Sequence, residues 1–305
     1  MDPEGEWETV ASEMRRIVGP GGARVDEPMG RHTTLGVGGP ARLLVEPATQ
    51  RQAVRVMQCA RRLGVEAMAV GKGSNLIVRD GGYPGVIVRL GSKLARVTVN
   101  RTTVRAEGGT SFALLARKMT RMGRTGLEFA TGIPGSVGGA VWMNAGAFGG
   151  EVSEVVRRVK IADTAGRVRV LRAADIAFSY RRTDLPAGCL VLEATFRCRP
   201  GAVRRDVYQR SLQRKETQPI DERTFGSTFV NPRGDFAARM IEGCGLKGKR
   251  LGGAMISDKH ANFIVNITGD ARASDVEALI ALMRSEVEKK YGVTLDTEVV
   301  IVGNQ

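Results

Sequence analysis

The sequence contains few of the residue types that bind metals or form disulfide bonds. Only two of its 305 residues are histidines, His32 and His260. The four cysteines are scattered along the chain, and no two of them form a CxxC pair. Zinc sites and disulfide frameworks both depend on closely spaced cysteine or histidine residues. We therefore predict neither feature, and we expect no bound metal.

Long apolar segments are also missing. No hydrophobic run approaches the roughly 18–20 residues that are needed to cross a bilayer. The first ten residues, MDPEGEWETV, are acidic and lack the charged-then-apolar layout of a secretory signal. From these features we expect a cytoplasmic protein without a membrane partner.

Aromatic residues make up only 5% of the chain, whereas the net charge is +14. A basic surface of this kind favours anionic partners such as phosphates, nucleotides or nucleic acid. Base stacking requires aromatic side chains, and the sequence has no recognisable DNA- or RNA-binding motif. The positive charge keeps a nucleic-acid-binding protein as a competing hypothesis. Because aromatic residues and binding motifs are lacking, we favour nucleotide-like ligands over nucleic acid.

The remaining composition is that of a globular protein, with 42% hydrophobic and 26% charged residues. The length exceeds the roughly 100–200 residues of a typical domain, so two or three packed units are expected. Because the chain offers no metal-ligand set, any redox chemistry must come from a bound organic cofactor.

Helical and strand patterns are mixed along the chain without strict βαβ alternation, which indicates an α+β fold. Helices are predicted at 10–18, from a Thr49 cap to Gly64, from a Ser111 cap to Gly123, at 203–215, at 235–243, and from a capping box at 274–277 to Tyr291. Strands are predicted at 67–70, 76–78, 86–90, 96–99, 103–107, 262–266 and 293–302, with further alternating strands up to Cys198. We place a domain boundary near residues 199–201, where a charged helix follows.

The sequence Gly71-Lys72-Gly73-Ser74-Asn75 lies between two predicted strands. Glycine tolerates positive φ, so successive backbone N–H groups at this loop can converge on one phosphate. The pattern is neither a Walker loop nor a Rossmann fingerprint, because a strand rather than a helix follows it. An ordinary tight turn is the alternative interpretation.

A second glycine-rich segment, residues 131–150, contains seven glycines in twenty residues. Such a composition costs conformational entropy unless the backbone must approach a ligand closely. We predict that residues 132–136 offer amides to a diphosphate and that residues 140–144 form a short apolar strand against a flat ring. A long flexible loop is the alternative, although Val137 and Trp142 among the glycines favour packing.

Three single residues are candidates for catalysis, each with a plainer alternative. Glu298 has apolar neighbours in the predicted last strand, and removal from water would suit it to handling a proton. A solvent-exposed glutamate at a strand edge is the commoner case. Ser227 follows a glycine but lacks a GxSxG motif, so a turn serine is the alternative. Arg181 could clamp a carboxylate, although a surface arginine is the default among the 36 in this chain.

Taken together, seven segments resemble the UDP-N-acetylenolpyruvoylglucosamine reductase family, also called the UDP-N-acetylmuramate dehydrogenases. They are TTLGVGGPA from Thr33, GKGSN from Gly71, GIPGSVGGAVWMNAGAFG from Gly132, FSYR from Phe178, GSTFVNP from Gly226, KHANFIVN from Lys259, and LDTEVVIVG from Leu295. They occur in family order from about residue 30 to the C-terminus, and their joint occurrence makes the resemblance specific.

The resemblance implies a vanillyl-alcohol-oxidase-like (PCMH-type) FAD-binding domain over residues 1–200, with subdomains of about 1–90 and 91–200. It implies a substrate-binding domain over residues 201–305, whose last strand returns to the active site. The implied reaction uses NADPH, with hydride passing through FAD N5, to reduce UDP-N-acetylglucosamine enolpyruvate to UDP-N-acetylmuramate for peptidoglycan synthesis. A monomer or weak dimer is expected.

The resemblance also implies individual roles, with Ser227 as the proton donor and Arg181 and Glu298 as the other catalytic residues. A cation against the substrate carboxylate would stabilise the charge that develops there, and a serine at short range can supply the proton. The residues implied to bind the substrate are Tyr180, Asn231 and His260. The residues implied to bind FAD are Gly71, Lys72, Gly73, Ser74, Asn75, Leu76, Gly132, Ile133, Pro134, Gly135, Ser136, Gly138, Gly139, Asn144, Gly146 and Ala147.

The chain departs from the family pattern at two positions. Gly36 and Val230 stand where relatives often have a basic residue. Only 45 residues separate Arg181 from Ser227, and Tyr208 is the one tyrosine among them. This spacing favours the subtype without an inserted tyrosine loop. An FAD-dependent sugar or alcohol oxidase built on the same flavin domain is the alternative enzyme.

Overall fold

The structure is a computed structural model that describes residues 3–201 and 204–305. The chain divides into two compact units, and each unit is assembled from three separate segments. Unit 1 comprises Met1–Glu27, Ala41–Lys72 and Gly85–Ser211, and unit 2 comprises Pro28–Pro40, Gly73–Pro84 and Leu212–Gln305. The two short segments from the first third of the chain that belong to unit 2 were not expected. The single domain boundary near residue 200 stays a prediction.

Helices and strands alternate irregularly over the described residues. The helices are α1 (Pro3–Val18), α2 (Gln50–Arg62), α3 (Phe112–Arg121), α4 (Val137–Trp142), α5 (Val152–Val155), α6 (Arg204–Thr217), α7 (Ala237–Gly243) and α8 (Ala273–Tyr291). The strands are β1 (Ala23–Pro28), β2 (Pro40–Val45), β3 (Ala67–Val70), β4 (Leu76–Val78), β5 (Tyr83–Arg89), β6 (Val97–Val99), β7 (Thr103–Glu107), β8 (Arg124–Thr125), β9 (Gly146–Ala147), β10 (Gly150–Glu151), β11 (Val156–Ala162), β12 (Val168–Arg172), β13 (Phe178–Ser179), β14 (Arg182–Thr183), β15 (Leu190–Arg197), β16 (Arg199–Pro200), β17 (Thr224–Ser227), β18 (Arg250–Leu251), β19 (Ala254–Ile256), β20 (Phe263–Asn266) and β21 (Val300–Val302). This content confirms the predicted α+β class.

Unit 1 is built around an antiparallel five-stranded sheet, in the order β12-β11-β15-β7-β6. Its central strand β15 is buried on both faces. Leu190 and Leu192 pack into a core with residues of α1 and α2, whereas Val191 and Phe196 belong to a core with residues of α3 and α4. A second sheet, in the order β1-β2-β5-β3, contains β3 and β5 as a parallel pair.

Unit 2 has an antiparallel sheet in the order β17-β20-β19-β18 and a parallel pair formed by β4 and β21. The long helix α8 supplies much of the core, because its buried residues recur every three or four positions. They are Ala273, Val276, Leu279, Ile280, Met283 and Val287. No helix among the described residues combines the length and apolarity needed to span a membrane.

Most of the predicted helices and strands are confirmed with shifts of a few residues. Thr49 caps α2 as expected, since its hydroxyl accepts a hydrogen bond from the Gln52 N–H at 3.1 Å. Ser111 stands at the cap position of α3, but its side chain makes no capping bond. Val203, the predicted first residue of the charged helix, lies outside the described residues.

The predicted strand at residues 140–144 is wrong, because most of this segment belongs to the helix α4. The Ser136 hydroxyl caps that helix by accepting from the Gly139 N–H at 3.3 Å. Val137, Ala140 and Val141 are buried, which is the i, i+3, i+4 spacing of a helix face. A short apolar run such as this one does not by itself distinguish the 3.6-residue period of a helix from the two-residue period of a strand.

The start of α8 and the last strand also differ from expectation. The predicted cap, Ser274, lies inside the first turn, because α8 begins at Ala273. The Asp80 carboxylate accepts hydrogen bonds from the N–H groups of both Ala273 (2.9 Å) and Ser274 (3.1 Å). Regular strand pairing in the predicted segment 293–302 is limited to β21, although Thr297 forms an isolated bridge with Phe229.

Candidate active site

The two glycine-rich segments of the sequence meet in unit 1. A Cβ atom added at Gly71 would collide with the Ser136 hydroxyl. Next to it, the Lys72 ammonium donates to the Ser111 hydroxyl at 2.9 Å, and Ser111 forms an isolated β-bridge with Ser136. Residues about 65 positions apart in the chain therefore pack together closely, as the predicted phosphate cradle requires.

The Lys72 side chain reaches the surface beside this contact. Burial, followed by the positive charge of Arg89, lowers the pKa of Lys72 from its usual value. Arg89 is neutralised in part by Glu46, whose carboxylate accepts from Arg89 at 2.7 Å and from Arg24 at 2.8 Å. An anionic ligand next to Lys72 would relieve the cost of burying its charge.

The segment that contains α4 is held against the central sheet by backbone contacts. The Gly138 N–H donates to the Gly108 carbonyl at 2.8 Å, and a Cβ at Gly138 would lie 3.2 Å from that oxygen and 3.3 Å from the Val191 carbonyl. Gly135, just before the helix, has a φ of +112°, which an L side chain rarely adopts. These glycines permit close backbone packing rather than flexibility.

Residues 73–75 of the first glycine loop belong to unit 2. Gly73 has a φ of +60°, and a Cβ there would collide with the His32 carbonyl. The Asn75 side-chain amide donates to the Glu298 carbonyl at 2.9 Å, and the Asn75 carbonyl accepts from the Val300 N–H at 3.1 Å. Asn75 therefore ties the glycine loop to the segment that carries Glu298, a contact that the sequence did not indicate.

Ser227 and Glu298 lie on neighbouring extended segments of unit 2. The Glu298 N–H donates to the carbonyl of Thr228, the residue after Ser227, at 2.9 Å. On the other side of β17, Ser227 pairs with Phe263 of β20. Gly226, with a φ of +91°, lies within the irregular pairing between Thr224 and Ser227. The structure thus brings the predicted proton donor and the predicted carboxyl group into the same part of one unit.

Arg181 lies in unit 1, at the tip of the hairpin formed by β13 and β14. Its φ is +58°, an uncommon backbone conformation for a residue other than glycine or asparagine. The guanidinium donates to the Gly146 carbonyl at 3.0 Å and lies 4.6 Å from the centre of the Tyr180 ring. Tyr180 is 50% exposed. Arg181 is therefore attached to the second glycine-rich segment, and the Tyr180 ring lies against Arg181. Both side chains remain partly exposed to solvent.

Asn144 is another of the residues implied to bind FAD. It is buried, with 0% of its surface exposed. Its side-chain carbonyl accepts from the Ser153 N–H at 2.9 Å, and its side-chain NH₂ donates to the Ser179 carbonyl at 3.0 Å. Both ends of the amide are thus engaged within unit 1.

Asn231 and His260, the residues implied to bind substrate in unit 2, also have structural contacts. The Asn231 side chain accepts from the Ala237 N–H at 3.1 Å, at the start of α7. His260 Nδ1 accepts from the Asn262 N–H at 3.3 Å, and the imidazole lies edge-on to Phe263 at 4.6 Å. Burial is the main cause that lowers the pKa of His260, so the ring is neutral near pH 7.

Asn262 and Ser111 were not singled out as site residues by the sequence. The Asn262 side chain is 3% exposed and bonds both the N–H (2.9 Å) and the carbonyl (2.8 Å) of Phe229, two positions after Ser227. A buried asparagine beside a strand has no sequence signature of this role. Ser111 was interpreted as a helix cap, and its contact with Lys72 depends on a loop 39 positions away.

Two protein-family models match this chain and define its class. An FAD-binding domain model matches residues 41–172. The model of the C-terminal domain of UDP-N-acetylenolpyruvoylglucosamine reductase matches residues 218–302. The chain is thus a flavoprotein in which an FAD-binding domain is followed by a second, reductase-specific domain, as the sequence predicted.

Relatives extend this likeness to nearly the whole chain. UDP-N-acetylenolpyruvoylglucosamine reductase 2 of Symbiobacterium thermophilum is 42% identical over 300 residues, which cover 97% of each chain. The reductase of Clostridium botulinum is 39% identical and covers 98% of this chain and 99% of its own. The crystal structure of the reductase from Thermus caldophilus matches with a TM-score of 0.79 and 34% identity over 92% of this chain and 97% of its own. The chain belongs to the UDP-N-acetylenolpyruvoylglucosamine reductase family.

Proposed function

We propose that this protein reduces UDP-N-acetylglucosamine enolpyruvate to UDP-N-acetylmuramate, with FAD as the bound cofactor and NADPH as the reductant. The observation that carries the proposal is the match of both domain models together with relatives of this name along almost the full chain. The reaction adds one hydride and one proton across the enolpyruvyl double bond. Both NADPH and the UDP-sugar are polyanions, which suits a chain with a net charge of +14.

The residues of the glycine-rich segments fit a diphosphate-linked cofactor. Gly71 and Gly73 have no space for a side chain, so their backbone can lie against a ligand. Lys72 adds a partly buried cation, and Ser136 adds a helix cap beside Gly71. We propose that residues 71–76, 132–136, 138–139 and 146–147 hold FAD, which when bound takes a hydride from NADPH and passes it to the substrate alkene.

Arg181 is proposed to bind the carboxylate of the enolpyruvyl group. Hydride addition to the terminal alkene carbon leaves negative charge that is shared with this carboxylate. A guanidinium held at a fixed position stabilises that charge where it develops, without reorganising during the reaction. The bond from Arg181 to the Gly146 carbonyl supports this role, because it holds the guanidinium against the second glycine-rich segment.

Ser227 is proposed to donate the proton, and Glu298 to act beside it on the alkene. A serine hydroxyl is a weak acid, but a carbanionic centre at hydrogen-bond distance is basic enough to accept its proton. Glu298 supports either the orientation of this donor or the polarisation of the intermediate. The bond between the Glu298 N–H and the Thr228 carbonyl supports their joint action, because it holds the two segments side by side.

The residues proposed to contact the rest of the substrate are Tyr180, Asn231 and His260. The exposed ring of Tyr180, beside Arg181, suits a sugar or base. The neutral imidazole of His260 can donate one hydrogen bond through Nε2, because Nδ1 already accepts one. We also propose that residues 1–200 form the FAD-binding region and residues 201–305 the substrate-binding region. The enzyme is proposed to work in the cytoplasm as a monomer or weak dimer, which light scattering of the purified protein would test.

The absorption spectrum of the purified protein tests the function directly. We expect a yellow protein whose flavin absorption is bleached by NADPH without oxygen and restored by the enolpyruvyl substrate. The saturated lactyl ether should form in amounts equal to the NADPH consumed. Bleaching by a simple sugar or alcohol, with no response to NADPH, would instead identify an oxidase. A colourless preparation that binds oligonucleotides in a salt-sensitive way would reject both enzymes.

A further inference from the structure

The side chain of Asn144 connects two segments of unit 1 that carry different parts of the proposed active site. Its carbonyl accepts from the Ser153 N–H, and its NH₂ donates to the Ser179 carbonyl. The two partners require this orientation of the amide, since one is a donor and the other an acceptor. Asn144 itself has a φ of +41°, which asparagine tolerates better than most residues.

The hairpin that carries Arg181 is too short to hold its own shape. β13 and β14 contribute two paired positions, Phe178 with Thr183 and Ser179 with Arg182, and just beyond them the Asp184 N–H donates to the Ala177 carbonyl at 3.1 Å. Isolated hairpins, even longer ones, are at best marginally stable in water. The tip is strained as well, because Arg181 occupies the left-handed region, where a turn would favour glycine or asparagine. The position of Arg181 must therefore be imposed by contacts outside the hairpin.

Three contacts attach this hairpin to residues 142–146 of the glycine-rich segment. Asn144 binds the Ser179 carbonyl on one strand, and the Thr183 hydroxyl donates to the Trp142 carbonyl at 2.9 Å on the other. The Arg181 guanidinium then donates to the Gly146 carbonyl. The Asn144 bond is the one made by a fully buried side chain, which is shielded from water.

Asn144 has no surface with which to contact a ligand. Its exposed fraction is 0%, so no ligand atom could reach the side chain without a rearrangement. The amide also has an internal partner at each end. A direct bond from this side chain to FAD would require the buried amide to be uncovered first.

We propose that Asn144 is a positioning residue, which fixes the turn at Tyr180 and Arg181 so that the guanidinium meets the substrate carboxylate. This inference rests on the proposed function, because it assigns the Arg181 target. Asn144 acts through the Ser179 carbonyl and touches neither substrate nor cofactor. The consequence is a selective one: loss of the contact should disturb the step that uses Arg181 and should spare the step in which NADPH is oxidised.

The test compares the two half-reactions in the holoenzyme and in Asn144→Asp. This variant keeps an acceptor for the Ser153 N–H but places an oxygen against the Ser179 carbonyl. We expect FAD content and the rate of flavin reduction by NADPH to stay within about twofold of wild type. We expect reoxidation by the enolpyruvyl substrate to slow by about tenfold or more, because small misplacements of a catalytic group have large effects on rate. Equal losses in both half-reactions would overturn the proposal.

A double-mutant cycle with Arg181→Ala separates positioning from general damage. If Asn144 acts through Arg181, Asn144→Asp should slow reoxidation by less than about twofold when Arg181 is already absent. A full additive loss in the double variant would reject the proposal. Thr120→Val is the matched control, because it removes another buried hydrogen bond of unit 1, from Thr120 to the Ala116 carbonyl. It should leave both half-reactions near wild type.

Asn144→Gly decides the question if Asn144→Asp does not accumulate as folded holoenzyme. Glycine adopts positive φ readily, so it removes the side chain while preserving the backbone. The same selective slowing of reoxidation is expected, and unchanged reoxidation would overturn the proposal. A wild-type enzyme that the enolpyruvyl substrate fails to reoxidise would contradict the proposed function itself, which keeps the two failures distinct.

Discussion

Ser227 on β17 and His260 in the loop before β20 take different chemical characters from their surroundings. Ser227 is partly exposed on β17, within the irregular pairing around Gly226. The ring of His260 is packed against Phe263, and its Nδ1 is engaged by the Asn262 N–H. The first arrangement leaves a hydroxyl available to a ligand, and the second favours a neutral imidazole. Each gives a prediction at the scale of a single side chain.

Ser227→Ala should separate the two half-reactions. Removal of the hydroxyl removes the proposed proton donor but leaves the glycine-rich segments intact, so FAD content and flavin reduction by NADPH should stay near wild type. Reoxidation by the enolpyruvyl substrate should fall by about 10²-fold or more, the usual contribution of a general acid. Stopped-flow absorption of the flavin measures both steps. A parallel loss of both rates would reject the proton-donor role.

His260 should make the folded state sensitive to mild acid. Burial lowers its pKa below the ordinary value of 6.5, so the unfolded chain takes up the proton first as the pH falls. The free energy of unfolding should therefore be fully present above about pH 6.5 and should decrease below it. Urea denaturation at pH 7.5 and pH 5.5 should show a smaller difference for His260→Gln than for wild type. An identical pH dependence in both proteins would contradict this prediction.

At the scale of elements, the starts of two helices differ from what their local sequence indicated. α4 begins after Ser136, which lies against Gly71, and α8 begins where Asp80 accepts from two of its N–H groups. Local patterns indicated a strand for part of the first and a later start for the second. The Asp80 contact that caps α8 comes from another part of the chain, so a local window could not contain it, whereas the Ser136 cap of α4 lies within three residues of its partner Gly139.

Removal of the Asp80 cap should destabilise unit 2. Burial raises the pKa of Asp80, but the hydrogen bonds from Ser274 and Ala273 outweigh that effect and lower it overall. Asp80→Ala should reduce the free energy of unfolding at pH 7 by about 1 kcal/mol, as for other lost helix caps. The contribution is present above the ordinary pKa of 3.8 and is lost as the pH falls through the lowered value. Urea titrations at pH 7 and pH 3 should therefore show a smaller difference between variant and wild type at pH 3.

At the scale of the whole molecule, each unit draws its site from segments that are far apart in the chain. Unit 1 joins Gly71 and Lys72 to residues 111–147, whereas unit 2 joins Gly73 to His32 and Asn75 to the C-terminal segment. One five-residue loop thus contributes to both units. Gly71 and Gly73 allow the loop to lie close to Ser136 and His32, respectively. A substitution at Gly71 therefore tests whether the two glycine-rich segments lie together.

Gly71→Ala should weaken FAD retention, because the added methyl group collides with the Ser136 hydroxyl. A second change, Ser136→Gly, removes both the hydroxyl and the Cβ that lies 3.0 Å from the new atom. Glycine is an acceptable helix N-cap, so Ser136→Gly alone should have a small effect. The double variant should recover much of the flavin content that Gly71→Ala loses, as measured by absorption after gel filtration. Failure of the second change to restore binding would contradict the close approach of these segments.

The sequence by itself determined the family, the α+β class and the approximate positions of most helices and strands. These features depend on motif order, apolar period and short-range signals such as the Thr49 cap and Gly292, which ends α8 with a φ of +66°. Such signals act within a few residues, so they can be recognised from the chain alone.

Only the tertiary structure decided which polar side chains serve the fold and which remain for chemistry. Asn75 and Asn144 lie in glycine-rich motifs that indicate cofactor binding, yet their amides bond the Glu298 and Ser179 carbonyls. The first of these contacts joins residues 223 positions apart, and the Asp80 cap of α8 spans 193 positions. A hydrogen-bonding side chain takes its role from the partner that folding brings to it, and no local pattern specifies a partner at that separation.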